Sequence, residues 1–262
     1  MAVECYIIMT PRLKISIDNL YDAFSKYPAN SNMHGSPNYD DLDAWNKDLF
    51  SKQLRELSAD DLSRFVGKAM TTWGDANDYK HFLPRIFELT AQLNTPYEIW
   101  IAFDKLDYGQ WGTWDDTEVK AIYNYMLALW DSLLKTDTEQ AKWNFKDYFS
   151  TFANFYPTFG DLLNIWNDNT QIAATKHLAN YIFDERHHIF DKGFIDGFHK
   201  KNDNISEFKT WLLSASTRKR LEQDFFKYEK EDFAEKLSWA EKILNDEVRN
   251  IAHNIGIANS GA

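Results

Sequence analysis

The chain predicts an all-α fold, and three observations carry that expectation. Only 10 Gly and 6 Pro occur in 262 residues, which favours long helices and short connections over the many turns of a sandwich. Apolar residues recur three and four apart in segment after segment, the periodicity of one buried helix face. Ser58, Thr95 and Thr136 stand at nearly even spacing, each opening a hydroxyl-x-x-acid box: Ser58-x-x-Asp61, Thr95-x-x-Glu98 and Thr136-x-x-Glu139. Such a box satisfies the N–H groups that a helix start leaves without partners. A second start follows each box, near Asp78, Thr113 and Thr158. That cadence describes antiparallel helical hairpins stacked as an irregular HEAT- or armadillo-like array, with an irregular helical bundle as the alternative. Stacked hairpins serve mainly to bind other macromolecules.

Taken in order, Ser16 precedes an amphipathic set, Leu20, Phe24 and Tyr27, that Pro28 stops. Residues 29–38 have loop chemistry, and a short helix over 39–54 holds Leu42, Trp45 and Leu49. The hairpins come next. Helix 59–73 places Leu62, Phe65, Val66, Ala69 and Trp73 on one face and ends at Gly74. Its partner spans 79–93, where Pro84 marks a bend or the true first turn. Helix 96–108 begins on Pro96, and 114–135 carries the cleanest stripe, from Val119 to Leu134. Helix 137–156 ends at Pro157, and shorter helices occupy 159–167 and the region after Thr170. Segment 204–215 is one helix, and 217–253 is one long helix or two. The tail from Ala258 to Ala262 has the composition of a frayed end. No linker interrupts the chain. It is expected to form one domain over 1–262, with a flexible extension at 1–15, a hairpin core at 58–190 and C-terminal helices at 204–253.

Composition narrows the function. Aromatic content is 16%, accounted for by a thick core or, in part, by an exposed aromatic binding face. The net charge of −11 opposes binding to nucleic acid or to an anionic membrane leaflet. It favours a basic protein partner and speeds encounter with one, although acidity also serves solubility. Cys5 is alone, so no intrachain disulfide or cysteine zinc site is expected, as in a reducing cytoplasm. No apolar run is long enough to span a bilayer, and the first residues lack a signal peptide's basic start. Met9 suits an original start, with the preceding residues an extension.

Motifs for chemistry are sparse. Glu185-x-x-His188 puts a carboxylate and an imidazole on one helix face, as a metal-dependent enzyme of the di-iron bundle type requires. No second Glu-x-x-His exists, and His-Glu-x-x-His is absent. Neither nucleophile elbow nor phosphate-binding glycine loop is present. The pairs Asp60/Asp61 and Asp115/Asp116 suit first-turn positions that complement the helix dipole, and they are candidate contact points for a basic partner. Arg218-Lys219-Arg220, with Lys200-Lys201 nearby, suits a solvated face, internal pairing or a phosphate grip. No cofactor is expected.

One segment is denser than the rest: Thr71-Thr72-Trp73-Gly74-Asp75, then Asp78-Tyr79-Lys80-His81-Phe82-Leu83-Pro84-Arg85-Ile86. Trp73-Gly74-Asp75 describes a helix stop with Gly in a left-handed cap, after which Asp75 and Asp78 cap the next helix. Trp73, Tyr79, Lys80, His81 and Arg85 then form either a tight packed corner or part of a binding surface, since Trp, Tyr and Arg dominate interface hot spots. The segment resembles a signature of a bacterial all-helical protein family of uncharacterised activity, over about residues 40–136. Members are similar to small acidic helical proteins encoded beside polymorphic toxins. That resemblance implies an immunity role and transfers no catalytic residue. The resulting expectation is a cytoplasmic, non-enzymatic scaffold that covers the active site of a basic toxin domain; a metal-dependent enzyme or a general adaptor are the alternatives.

Overall fold

The computed structural model describes residues 7–199 and 203–260, with the helical backbone alone over 255–260. Among the described residues there are twelve α-helices and no strand, so the chain is all-α. No described helix is long and apolar enough to cross a membrane. Cys5 and Lys200-Lys201 lie outside the described residues, as do Gly261 and Ala262 of the tail. The chain divides into two compact units. The first comprises the described part of Met1–Leu133 with Thr138–Thr151, and the second Leu134–Asp137 with the described part of Phe152–Ala262.

The first unit opens with α1 (Pro11–Phe24), α2 (Leu42–Leu49), α3 (Ala59–Lys68), α4 (Ala76–Thr90) and α5 (Ile99–Tyr108). Most of α6 (Asp116–Lys135) and α7 (Glu139–Phe155) completes it. The expected flexible extension at 1–15 is corrected over its described part, from residue 7 on. Thr10 caps α1 through a bond from the Leu13 N–H at 3.2 Å, Pro11 supplies a preset first turn, and Ile7 and Leu13 are buried. Local chemistry that starts a helix, joined to two buried apolar side chains, outweighs the loop-like composition.

The helix-start boxes fare unequally. Ser58 and Asp61 form the reciprocal cap of α3. Thr95 instead donates its hydroxyl to the Tyr97 carbonyl at 2.5 Å, and α5 begins only after Glu98. At the third box the cap shifts by two residues: Thr138 accepts from the Ala141 N–H at 3.2 Å. Thr136 is buried, its carbonyl accepting from His177 Nε2 at 2.9 Å. The helix expected over 59–73 stops at Lys68, because 69–73 turn tightly through Met70 at φ 60°. Pro84 lies inside α4 rather than at its start.

A stack of aromatic rings fills the first unit. Phe87 is parallel to Phe103 at 4.7 Å and stacks on Tyr125 at 5.1 Å, while Trp130 stacks on Phe149 at 5.3 Å. Three of the buried tyrosines pair their hydroxyls with backbone carbonyls, whereas the buried Tyr97 hydroxyl has no partner among the described residues. Tyr79 donates to Ala102 O at 2.6 Å, Tyr125 to Phe87 O and Tyr148 to Thr90 O, both at 2.5 Å. Helix α1 packs on α4, and α3, α4 and α5 pack mutually.

The second unit continues through α8 (Phe159–Asp168), α9 (Ile172–Arg186), a π-helical turn His187–Lys192, α10 (Asp203–Leu212), α11 (Ala215–Lys227) and α12 (Ala234–Ser260). The segment 217–253 therefore holds two helices. Trp166, Phe208, Leu221, Leu237 and Leu244 form its buried interior, and α12 lies against both α9 and α11. The α1–α4 and α9–α12 pairings join helices distant in the chain, whereas a repeat array joins each hairpin to the next.

Candidate functional site

The Trp73-Gly74-Asp75 corner organises the site. Gly74 adopts φ 69°, the left-handed conformation expected of it. Asp75 then accepts from the N–H groups of Asn77 and Asp78, and Asp78 reaches back to the Asp75 N–H at 2.9 Å, so this pair caps α4 as expected. The loop over 29–38 is strapped to the corner: Gly74 N–H donates to His34 O at 2.7 Å and Ser36 N–H to Thr72 O at 2.9 Å. Asn46 of α2 completes the fastening. Its amide donates to Met33 O and its oxygen accepts from Trp73 Nε1, each at 2.9 Å.

Between α2 and α3 this leaves a pocket of about 360 Å³. Trp45 and Trp73 form aromatic walls with ring centroids 5.4 Å apart. Asp48, Asp60 and Asp61 line it in acid, and the Arg64 guanidinium lies 4.6 Å from the Trp45 ring centre. Asp61 is engaged by Lys52 at 2.6 Å and by the Ser58 N–H, which together hold its carboxyl below the usual carboxylate range. Among the described residues neither Asp48 nor Asp60 is held in an ion pair. Carboxylates on the rim and an indole that already carries Arg64 and, at 5.8 Å, Lys68 make this a surface suited to cations.

The other candidate residues face inward. Trp73 and Tyr79 are buried, so the binding surface expected of them is corrected: their rings are core, with Trp73 reaching only the pocket wall. Lys80 is buried as well. Its ammonium donates to Glu118 Oε2 and to Tyr27 Oη, both at 2.8 Å, and lies 4.1 Å from the Trp114 ring centre. His81 Nδ1 is 3.0 Å from the Tyr27 carbonyl, and Arg85 donates to Leu57 O and Glu88 at 2.7 Å. These three side chains fasten α4 to its surroundings rather than offer a contact surface. Asp116 is exposed in the first turn of α6, and exposed Asp115 bonds Lys26, which lowers its carboxyl pKa. Of the predicted set, Asp60, Asp61 and Trp73 meet at this pocket, while Lys80 and His81 meet separately at Tyr27. Trp45, Asp48 and Arg64 are added by the structure. Trp45 and Asp48 are three apart on one helix face, a signal that patterning records as core plus solvent.

The alternative metal pair does form, with Glu185 2.9 Å from His188 Nδ1. His187 pairs separately with Asp191 at 2.7 Å, and among the described residues no group of three metal-ligating side chains assembles. The two arginines of the basic cluster are used internally, Lys219 being exposed: Arg220 donates to Trp166 O and Asn169 O at 2.7 Å and to Thr175 at 2.8 Å, while Arg218 bonds Asn245.

Charge is divided unevenly between the units. The first holds 22 of the 40 acids and 14 of the 29 bases, for −8, against −3 for the second. No family model, curated protein or solved structure matches the chain.

Proposed function

We propose that the chain is a cytoplasmic, non-enzymatic scaffold that binds a basic protein, a toxin domain in particular, and neutralises it by covering its active site. The observation that carries this reading is the α2–α3 pocket, which Asp48 and Asp60, neither in an ion pair among the described residues, line together with Trp45. An arginine or lysine of the partner would lay its stem along the indole and give its charged head to the carboxylates. The −8 of the surrounding unit would draw such a partner in and orient it before contact. Arg64, resting on Trp45, supplies an internal example of a guanidinium on that ring.

The test is calorimetric titration of the full chain with a short peptide alternating Arg and Gly, at low and physiological ionic strength. Binding that weakens with salt is expected. Joint replacement Asp48→Asn and Asp60→Asn should weaken it roughly tenfold, since an exposed ion pair contributes up to about 1 kcal/mol. Absence of binding, or equal affinity in the double variant, would overturn the assignment.

A further inference from the structure

A second pocket, of about 690 Å³, lies between α9 and α12 within the second unit. Phe183, Trp239 and Ile243 form its walls, and Trp239 is 47% exposed beside it. Four charged side chains rim it: Arg186 and Lys236 of one sign, Asp232 and Glu235 of the other. Among the described residues none of the four is in an ion pair, although they share one rim. Both cations rest on the Phe183 ring instead, each 5.0 Å from its centre, and Glu235 accepts only a 3.4 Å bond from Trp239 Nε1.

We infer that this groove is a two-fold interface at which a second copy of the chain docks. An isologous contact requires one patch that complements itself. This patch has a half-exposed tryptophan in the wall of a hole large enough to receive an aromatic ring. It also has charges of both signs that form no ion pair among the described residues, Arg186 donating only to the Phe183 carbonyl. Two-fold apposition sets the cations of each copy against the acids of the other and satisfies all four. A partner of a single sign would satisfy two and repel two. Self-association also costs least where net charge is small, and this unit carries −3 of the total −11. Tryptophan is the residue type most concentrated in interface hot spots, which makes Trp239 the expected anchor.

The test is sedimentation velocity of the full chain across a concentration series, with circular dichroism to confirm helicity. The wild type should form a reversible dimer, and Trp239→Ala should shift it toward monomer. Two charge variants decide the geometry: Arg186→Glu with Lys236→Glu, and Asp232→Lys with Glu235→Lys. Each alone should dimerise about a hundredfold more weakly, because like charges then face each other. Mixed in equal amounts, the two should restore a dimer. Both should bind the Arg-Gly peptide unchanged, which separates this interface from the α2–α3 pocket. A wild type that stays monomeric, a Trp239→Ala or charge variant that dimerises normally, or a mixture that stays monomeric would overturn the proposal.

Discussion

Glu118 shows how single side chains fix the first unit. It is fully buried, yet it takes bonds from Lys26 at 2.8 Å, Lys80 at 2.8 Å and the Tyr27 hydroxyl at 2.5 Å. Burial by itself would raise its pKa, but those three donors prevail and hold the carboxyl below its ordinary value. Removing the carboxylate leaves the buried Lys80 ammonium without a counter-charge, while Lys26 keeps Asp115. Glu118→Gln should therefore destabilise the protein by roughly 3 kcal/mol in urea unfolding at neutral pH. The sign with pH follows from the depressed value. The stabilisation is complete above the unfolded carboxylate pKa of about 4.3 and disappears as pH falls through the lower folded value. The gap between wild type and variant should accordingly close in acid; a gap constant with pH would contradict this role. Asn46→Ala should cost about 1–3 kcal/mol, because the Trp73 N–H and the Met33 carbonyl both lose a buried partner. The inward course of Lys80 was not legible in the sequence. Its acid stands 38 residues away, and a lysine beside a histidine on a polar-looking turn has the same composition whether it faces solvent or a buried carboxylate.

At the scale of elements, local rules served best where the whole motif is local. The Ser58–Asp61 cap and the Gly74–Asp75–Asp78 corner depend only on residues a few positions apart, and both form as expected. The Thr95 box failed because its hydroxyl turns to the Tyr97 carbonyl two residues on, and the Thr136 box because its carbonyl serves His177 of α9. Ser58→Ala should lower stability by about 1 kcal/mol, measured as the shift in urea midpoint at unchanged slope. Gly74→Ala should cost more than 1 kcal/mol, since a Cβ there meets Asp78 Cβ at 3.1 Å with the backbone at φ 69°. A neutral effect at Gly74 would mean that the corner relaxes freely and does not set the pocket wall. The α1 start was hidden for a different reason. Thr10-Pro11 is itself a good helix opening, but its value depends on Ile7 and Leu13 finding a core, which periodicity over so short a stretch does not reveal.

For the whole molecule, the all-α class was legible because helix periodicity repeats in every segment, whereas the pairing of α1 with α4 and of α9 with α12 was not. Pairing between helices distant in the chain is decided by side-chain shape, and hydropathy does not encode it. The pocket was half visible: Asp60 and Asp61 stood out as paired acids, while Trp45 and Asp48 matched any amphipathic helix. On the proposed function, the division of charge, −8 against −3, would favour encounter of a basic partner with the first unit. The measurement that tests this most directly is amide chemical-shift mapping of the full chain during titration with the Arg-Gly peptide. Shifts should concentrate over α2 and α3, around Trp45, Asp48, Asp60 and Arg64, and move the Trp45 indole resonance. Shifts confined to the second unit, or spread evenly over the acidic surface with α2 and α3 unmoved, would contradict it.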